Sequence, residues 1–213
     1  MMHEKENCRL CGILSPMFHI SEEGYYFNCP HCQGIFMSKS FLPNDTVEID
    51  RYNTHNNDVN DSRYQQFVAP ITMGIENDFN QHHHGLDFGS GTGPVITKVL
   101  KERGYRIETY DPYFDNRPEV LNEVYDYIAC CEVVEHFHSP YLEFQRLRSL
   151  LKPNGKLYIM TDPYQPEVDF GNWYYKDDPT HVFFYQRQTF ESIKDAFRFK
   201  SVNVNGRLIT LSA

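Results

Sequence analysis

At 213 residues the chain is long enough for one ordinary domain plus a small extra module, and a formal charge of -9 excludes a broad phosphate-binding face, leaving room for only a local basic patch. An aromatic content of 15% fits a folded protein with aromatic-lined pockets. No apolar run approaches membrane length, and no charged stretch followed by an apolar one opens the chain, so a soluble cytoplasmic protein without a membrane partner is expected.

Cys8-x2-Cys11 and Cys29-x2-Cys32, with seventeen residues between the pairs, have the two-knuckle spacing that gathers four thiolates tetrahedrally around structural zinc. Gly12 and Gly34 follow the pairs, as tight knuckle turns require, and Tyr25-Tyr26-Phe27 supplies a strand into the second knuckle. Two disulfides or a redox pair form the competing reading, weakened by the expected compartment. Residues 1–42 are therefore expected to be a zinc ribbon, and 43–80 a connecting region. The polar stretch from Phe41 to Tyr64 reads either as a solvated linker or as a lid, because Tyr52, His55 and Asn56, then Tyr64 and Phe67, recur along one side of a turn or helix. His82-His83-His84 is read as structural or solvated, since neighbours on a strand point to opposite faces.

His84 to Val95, HGLDFGSGTGPV, predicts a strand running through a glycine-rich turn into a helix over Pro94 to Arg103, with Pro94 at its first position. Gly89, Gly91 and Gly93 let backbone approach a ligand closely. The third glycine of a dinucleotide fingerprint is replaced by Pro94, and the pattern is D-x-G-x-G-x-G from Asp87. An acidic residue aimed into the turn suits an ammonium-bearing ligand without phosphates, which favours S-adenosylmethionine over a nicotinamide. A second strand, Tyr105 to Tyr110, ends at Asp111, beside the turn, where ribose hydroxyls can be chelated.

Between Asp111 and Tyr127 the chain has room for little more than one short helix, expected over Asn116 to Val124. Tyr125 to His136 reads as a buried strand ending in acidic residues, and Cys130 and Cys131 as core. Ser139-Pro140 then opens a helix with Leu142, Leu147, Leu150 and Leu151 on one side. It stops at Lys152-Pro153-Asn154-Gly155 before a strand Lys156 to Met160. Phe170 to Phe190 is dense in aromatics, including Trp173, and precedes a helix region Gln188 to Phe197. Phe199 to Val204 and Arg207 to Leu211 flank Asn205-Gly206, a strong hairpin signal.

LDFGSGTG, YDP, YDYIACCEVVEH and LKPNGKLYIMTDP, in this order from Leu86 to Pro163, resemble the class I S-adenosylmethionine-dependent methyltransferases. The resemblance implies a doubly wound, Rossmann-like α/β sheet over 81–213, reduced by its missing third strand and closed by a C-terminal β-hairpin, preceded by the ribbon. It implies that Asp87 holds the methionine ammonium, that Gly89, Ser90, Gly91 and Gly93 line the methionine part, and that Asp111, with Pro112, meets the ribose. Glu132 to His136 would form the wall beneath the methyl donor. Adenine would be covered by Tyr113, Phe114 or the preceding segment, which brings in His55 and Tyr64. On the substrate side, D-P-T-H makes His181 the candidate base or orienting group, supported by Asp178 and Tyr175, with His136 next; a structural His181 is the alternative.

The function expected is methyl transfer to a small-molecule or sugar-like acceptor, with zinc-bearing sugar C-methyltransferases similar in outline. Two alternatives stand beside it. One is a ribosomal RNA base methyltransferase using Arg9, Lys39 and Arg51, disfavoured by the acidic charge. The other is a non-catalytic module that binds the cofactor and recruits a partner.

Overall fold

Two sheets divide the chain, and each borrows its shape from where apolar side chains alternate. The computed structural model describes residues 5–54 and 58–213. The N-terminal strands are β1 (Lys5–Asn7), β2 (Leu14–Ile20), β3 (Tyr25–Asn28) and β4 (Ile35–Met37), followed by helices α1 (Asp45–Asn53) and α2 (Ser62–Asp78). Then come β5 (His84–Phe88), α3 (Val95–Glu102), β6 (Arg106–Tyr110), β7 (Tyr125–Cys131), α4 (Pro140–Ser149) and β8 (Leu151–Met160). The chain closes with β9 (Phe183–Phe184), α5 (Arg187–Ala196), β10 (Ser201–Asn205) and β11 (Leu208–Ser212).

The larger sheet runs β10-β11-β8-β7-β5-β6, with β6, β5, β7 and β8 parallel and β11 antiparallel to both β8 and β10. Side-chain alternation along β7 sorts the core: Tyr127 and Ala129 face α2 and α3, while Ile128 and Cys130 face α4 and α5. Helices thus cover both faces, as a parallel sheet demands. Between β6 and β7 the described chain contains only an isolated Asp111–Asp115 bridge and a 3-10 turn at Pro118–Asn122, so the sheet lacks a third strand there.

Several boundaries differ from the sequence reading. Pro94 is the N-cap and the helix begins at Val95, one residue later than expected. The strand from Tyr125 ends at Cys131, because Glu132 takes a left-handed φ of 52° and the chain turns into a 3-10 segment at Val134–His136. In α4 the buried face is Pro140, Phe144 and Leu147; Leu142 is exposed, and Leu151 already belongs to β8. Asn154, at φ 66°, kinks β8 without ending it.

The ribbon sheet runs β1-β2-β3-β4-β9, so its last strand comes from 183–184, far along the chain. Phe27, Phe36 and Phe183 face the zinc-type cysteines and the main core, and Tyr26, Ile35 and Phe184 face an aromatic cluster with Tyr164, Phe170, Trp173 and Tyr175. Arg9 crosses the join, donating to the carbonyls of Met37 at 2.6 Å and Val182 at 2.7 Å. In the second knuckle the left-handed residue is Gln33, at φ 59°, and not Gly34. Gly34 is needed for closeness: a Cβ there would lie 2.5 Å from the Phe183 ring. His84 packs on Tyr125, while His82 is exposed.

Candidate active site

The carboxyl ends of β5, β6 and β7 open into a cleft of about 710 Å³. Its rim is the glycine turn. Gly89 and Gly91 adopt φ of 75° and 61°, and the amides of Gly89 and Ser90 both donate to the Tyr110 carbonyl, at 2.8 and 3.1 Å, tying the turn to β6. A Cβ on Gly89 would lie 2.5 Å from Val133, whereas one on Gly91 would meet nothing within 4 Å, so the space beside Gly91 belongs to the cleft. Ser90 Oγ is buried without a hydrogen-bond partner among the described residues.

Asp111 accepts backbone amides from Gly91 (2.9 Å), Tyr113 (2.9 Å) and Phe114 (3.1 Å), which fixes its carboxylate at the end of β6 with lone pairs to spare. Asp87 does not line the cleft. It sits behind the turn, accepting from the Thr97 hydroxyl at 2.8 Å at the start of α3, and burial pushes its carboxyl up to about 6.

The opposite wall comes from the segment that the sequence left undecided between lid and linker. Asn44 caps α1 through the Val47 amide, and the helix presents Asp45, Glu48 and Tyr52 to the cleft. Tyr113 donates to Glu48 at 2.5 Å and to Asp45 at 3.2 Å, closing the wall over Asp111. Tyr64 and Phe67 of α2 also line the cleft, with Tyr64 Oη 3.5 Å from the Gly93 carbonyl. His55 lies outside the described residues.

The floor holds two histidines. The His136 ring lies edge-to-face with Tyr52 (5.2 Å between centroids) and with His181 (4.8 Å). His136 Nδ1 is 2.9 Å from the Thr180 carbonyl, and His181 Nδ1 is 2.6 Å from the Tyr175 carbonyl. Carbonyls only accept, so both Nδ1 atoms carry a proton, and the lone pair of the neutral His136 resides on Nε2. Burial, aided by His181, pushes His136 down to about 3. Asp178 also reaches the cleft; although burial opposes it, bonds from Thr180 and Arg51 hold its carboxyl well below the usual range.

Tyr175, expected as a catalytic candidate, is not in the cleft wall. It is buried under the floor, where its hydroxyl donates to Glu135 at 2.5 Å and sits 3.1 Å from Glu132. It touches His181 through its carbonyl and through its ring, 4.2 Å between centroids, so its place is that of a support. Glu132 lines the cleft and pairs with Arg207 at 2.6 Å. Sequence reasoning missed Asp45, Glu48 and Arg207. The first two were detectable: an Asn44 cap followed by Asp45, Glu48 and Tyr52 at steps of three and four is one helical face. Arg207 gave no signal, because its partner lies across the sheet. Cys130 is in the core and Cys131 borders the cleft, and burial raises both thiols well above their ordinary value, so neither is a thiolate nucleophile.

In the ribbon the four cysteines are free thiols whose sulfurs lie within 4.8 Å of one another, with Cys8–Cys32 at 3.6 Å and Cys11–Cys29 at 3.4 Å. These separations are far longer than a disulfide and close to the edge of about 3.8 Å that a zinc tetrathiolate with bonds near 2.3 Å requires. The donor set fits zinc.

A family model described as a methyltransferase domain matches residues 52–204. The chain belongs to this family, and its sheet is that of the class I, Rossmann-like methyltransferase fold. The ubiquinone biosynthesis O-methyltransferase of Actinobacillus pleuropneumoniae serotype 5b (strain L20) is 32% identical over 81 residues, covering 36% of this chain and 35% of its own length. The match therefore spans about a third of that relative. Among solved structures, the Burkholderia thailandensis 1,6-didemethyltoxoflavin-N1-methyltransferase, bound to 1,6-didemethyltoxoflavin and S-adenosylhomocysteine, superposes with a TM-score of 0.55 at 13% identity, over 92% of this chain and 98% of that one. Human N-acetylserotonin methyltransferase in complex with SAM gives 0.55 at 10% identity, over 80% and 60%. At these identities the likeness is one of fold.

Proposed function

We propose that the chain methylates a hydroxyl oxygen of a small molecule held in the cleft. The observation that carries this reading is the cleft itself: a pocket behind the glycine turn, walled by aromatic and acidic side chains, with two imidazoles on its floor, each anchored through Nδ1 to a backbone carbonyl. The sugar-like acceptor expected from the sequence belongs to this class, and the O-methyltransferase relative supports oxygen as the acceptor atom.

S-adenosylmethionine, when bound, supplies an electrophilic methyl on sulfonium. In this reading Asp111 takes the ribose through its remaining lone pairs, the open face of Gly91 and the unpartnered Ser90 hydroxyl take the methionine part, and Asp87 biases the turn toward an ammonium. Pro112, Tyr113 and Glu48 cover the adenosine. Glu132 borders the methyl position, and His136 and His181 orient the acceptor hydroxyl, which in-line transfer needs within reach of the methyl. The segment 43–80 acts as a lid on the 81–213 domain, and the 1–42 ribbon carries one structural zinc.

RNA is the weaker partner. Arg9 is committed to two internal carbonyls and Arg51 to Asp178, so two of the three basic residues that would contact phosphate are engaged within the protein. A methyl-labelled cofactor incubated with the protein and cell extract should label the small-molecule fraction. His181→Ala should then cut turnover by about 10²-fold with S-adenosylhomocysteine affinity unchanged. Label in RNA or protein, or equal loss of turnover and cofactor affinity, would overturn the assignment.

A further inference from the structure

Beneath the cleft floor lies a buried acidic group without enough positive charge around it. Glu135 is fully buried at the turn after β7. One carboxylate oxygen, Oε1, accepts from Tyr175; the other, Oε2, is buried with no hydrogen-bond partner among the described residues. Glu132 shares the same tyrosine hydroxyl, and the Arg207 guanidinium pairs with Glu132. The two carboxylates thus share one tyrosine hydroxyl and one guanidinium among the described residues, and leaving a buried oxygen bare costs about 1–3 kcal/mol or more.

The Nε2 atoms complete the picture. His181 Nε2 is 4.0 Å from Glu135 Oε1, and one ligand atom from each of Glu135, His136 and His181 falls within 4.8 Å of the others. Each imidazole has its Nδ1–H on a backbone carbonyl, the arrangement that fixes the tautomer and ring angle of a metal-bound histidine. Ligand atoms around a first-row divalent ion, at bonds near 2.1 Å, lie about 3–3.5 Å apart, so the set needs a contraction of roughly an ångström. His136 and His181 border the cleft while Glu135 is behind them, so coordination positions on the cleft side stay open.

We propose that Glu135, His136 and His181 form a second metal site, distinct from the four cysteines, which binds a first-row divalent cation by two imidazoles and one carboxylate. Mixed nitrogen and oxygen donors with open positions suit manganese, iron, cobalt or nickel. Resting on the reading of the cleft as the acceptor site, the two histidines would then orient the acceptor through the ion, which would bind the hydroxyl oxygen and stabilise its deprotonated form, the proton leaving to solvent.

The test titrates the full-length protein with Mn²⁺, followed by the loss of the free-ion electron paramagnetic resonance signal, with zinc content measured in parallel. One Mn²⁺ per chain should bind without displacing zinc from the ribbon. His136→Gln and His181→Gln should each weaken it by about tenfold or more, and Glu135→Gln should do the same. S-adenosylhomocysteine binding, measured by calorimetry on the same samples, reports whether each variant is folded. Wild-type protein that leaves millimolar Mn²⁺ free, or folded histidine variants that bind it equally well, would overturn the site. Mn²⁺ binding with no S-adenosylhomocysteine binding in the wild type would keep the metal site and sink the cleft's functional reading.

Discussion

Replacing Asp111 by Asn changes one oxygen to an amine and alters no shape, yet it should unsettle the whole rim of the cleft. Oδ1 accepts from Tyr113 and Phe114, so the retained amide oxygen can keep those two bonds; the new amine would then face the Gly91 amide, donor against donor. A hydrogen bond to a charged acceptor is worth about 1.5–3 kcal/mol, and the two retained bonds lose their charge assistance. A loss of about 2 kcal/mol follows, or about 3 kcal/mol for Asp111→Ala, which strands all three amides. At about 2–4 °C per kcal/mol for a domain of this size, Tm should fall by about 4–8 °C in the Asn variant. S-adenosylhomocysteine affinity should fall about tenfold or more, because Gly91 moves and the ribose loses an acceptor. Differential scanning calorimetry and titration calorimetry read the two effects separately. A variant within 1 °C of wild type, about the noise of the measurement, with unchanged affinity would refute the clamp.

Asp87 makes a pH prediction. Its carboxyl stands at about 6 in the folded protein against 3.8 ordinarily, so the folded state holds a proton that the unfolded chain releases, and its contribution to stability falls as pH rises through that window. A cofactor ammonium nearby would lower the value again, so S-adenosylhomocysteine should bind more tightly from pH 5 to 7, by at most about tenfold per unit, with proton release. Titrations in buffers of different ionisation heat measure this, and proton uptake would contradict it. Cys29→Ser should abolish ribbon zinc and lower Tm, and cofactor binding should weaken with it because β9, a strand of the ribbon sheet, follows directly on His181 at the cleft. Full zinc content in that variant would exclude the four-thiolate site.

What the sequence made legible was local. The glycine turn could be read because backbone conformations near φ of 60–75° leave their mark on residue type at once, and the knuckles because four cysteines at fixed spacing have few other uses. The shortened sheet followed from setting the short stretch between Asp111 and Tyr127 against the resembled fold. The two-residue strand β9 was hidden: Phe183-Phe184 has no periodicity to detect, and its pairing with Ile35 and Phe36 depends on tertiary packing. Leu142 misled for the opposite reason, being apolar at helical spacing but pointing to solvent, where α4 buries Phe144 in its place. Tyr175 was placed in the right neighbourhood by the family resemblance, but only the fold shows its hydroxyl turned under the floor toward Glu135.

Strand β9 also sets an order of events during synthesis. Arg9 binds a carbonyl 173 residues further along, and the β4 edge finds its partner only when that same region arrives. Until then a nascent chain carries an unpaired edge rich in Phe and Ile, the kind of surface that recruits other chains. All four cysteines, by contrast, are available within the first 32 residues. Metal loading can therefore close the knuckles early and hold β3 and β4 in register while the remainder is made, so zinc supply during translation would govern the yield of folded protein more than the stability of the finished one.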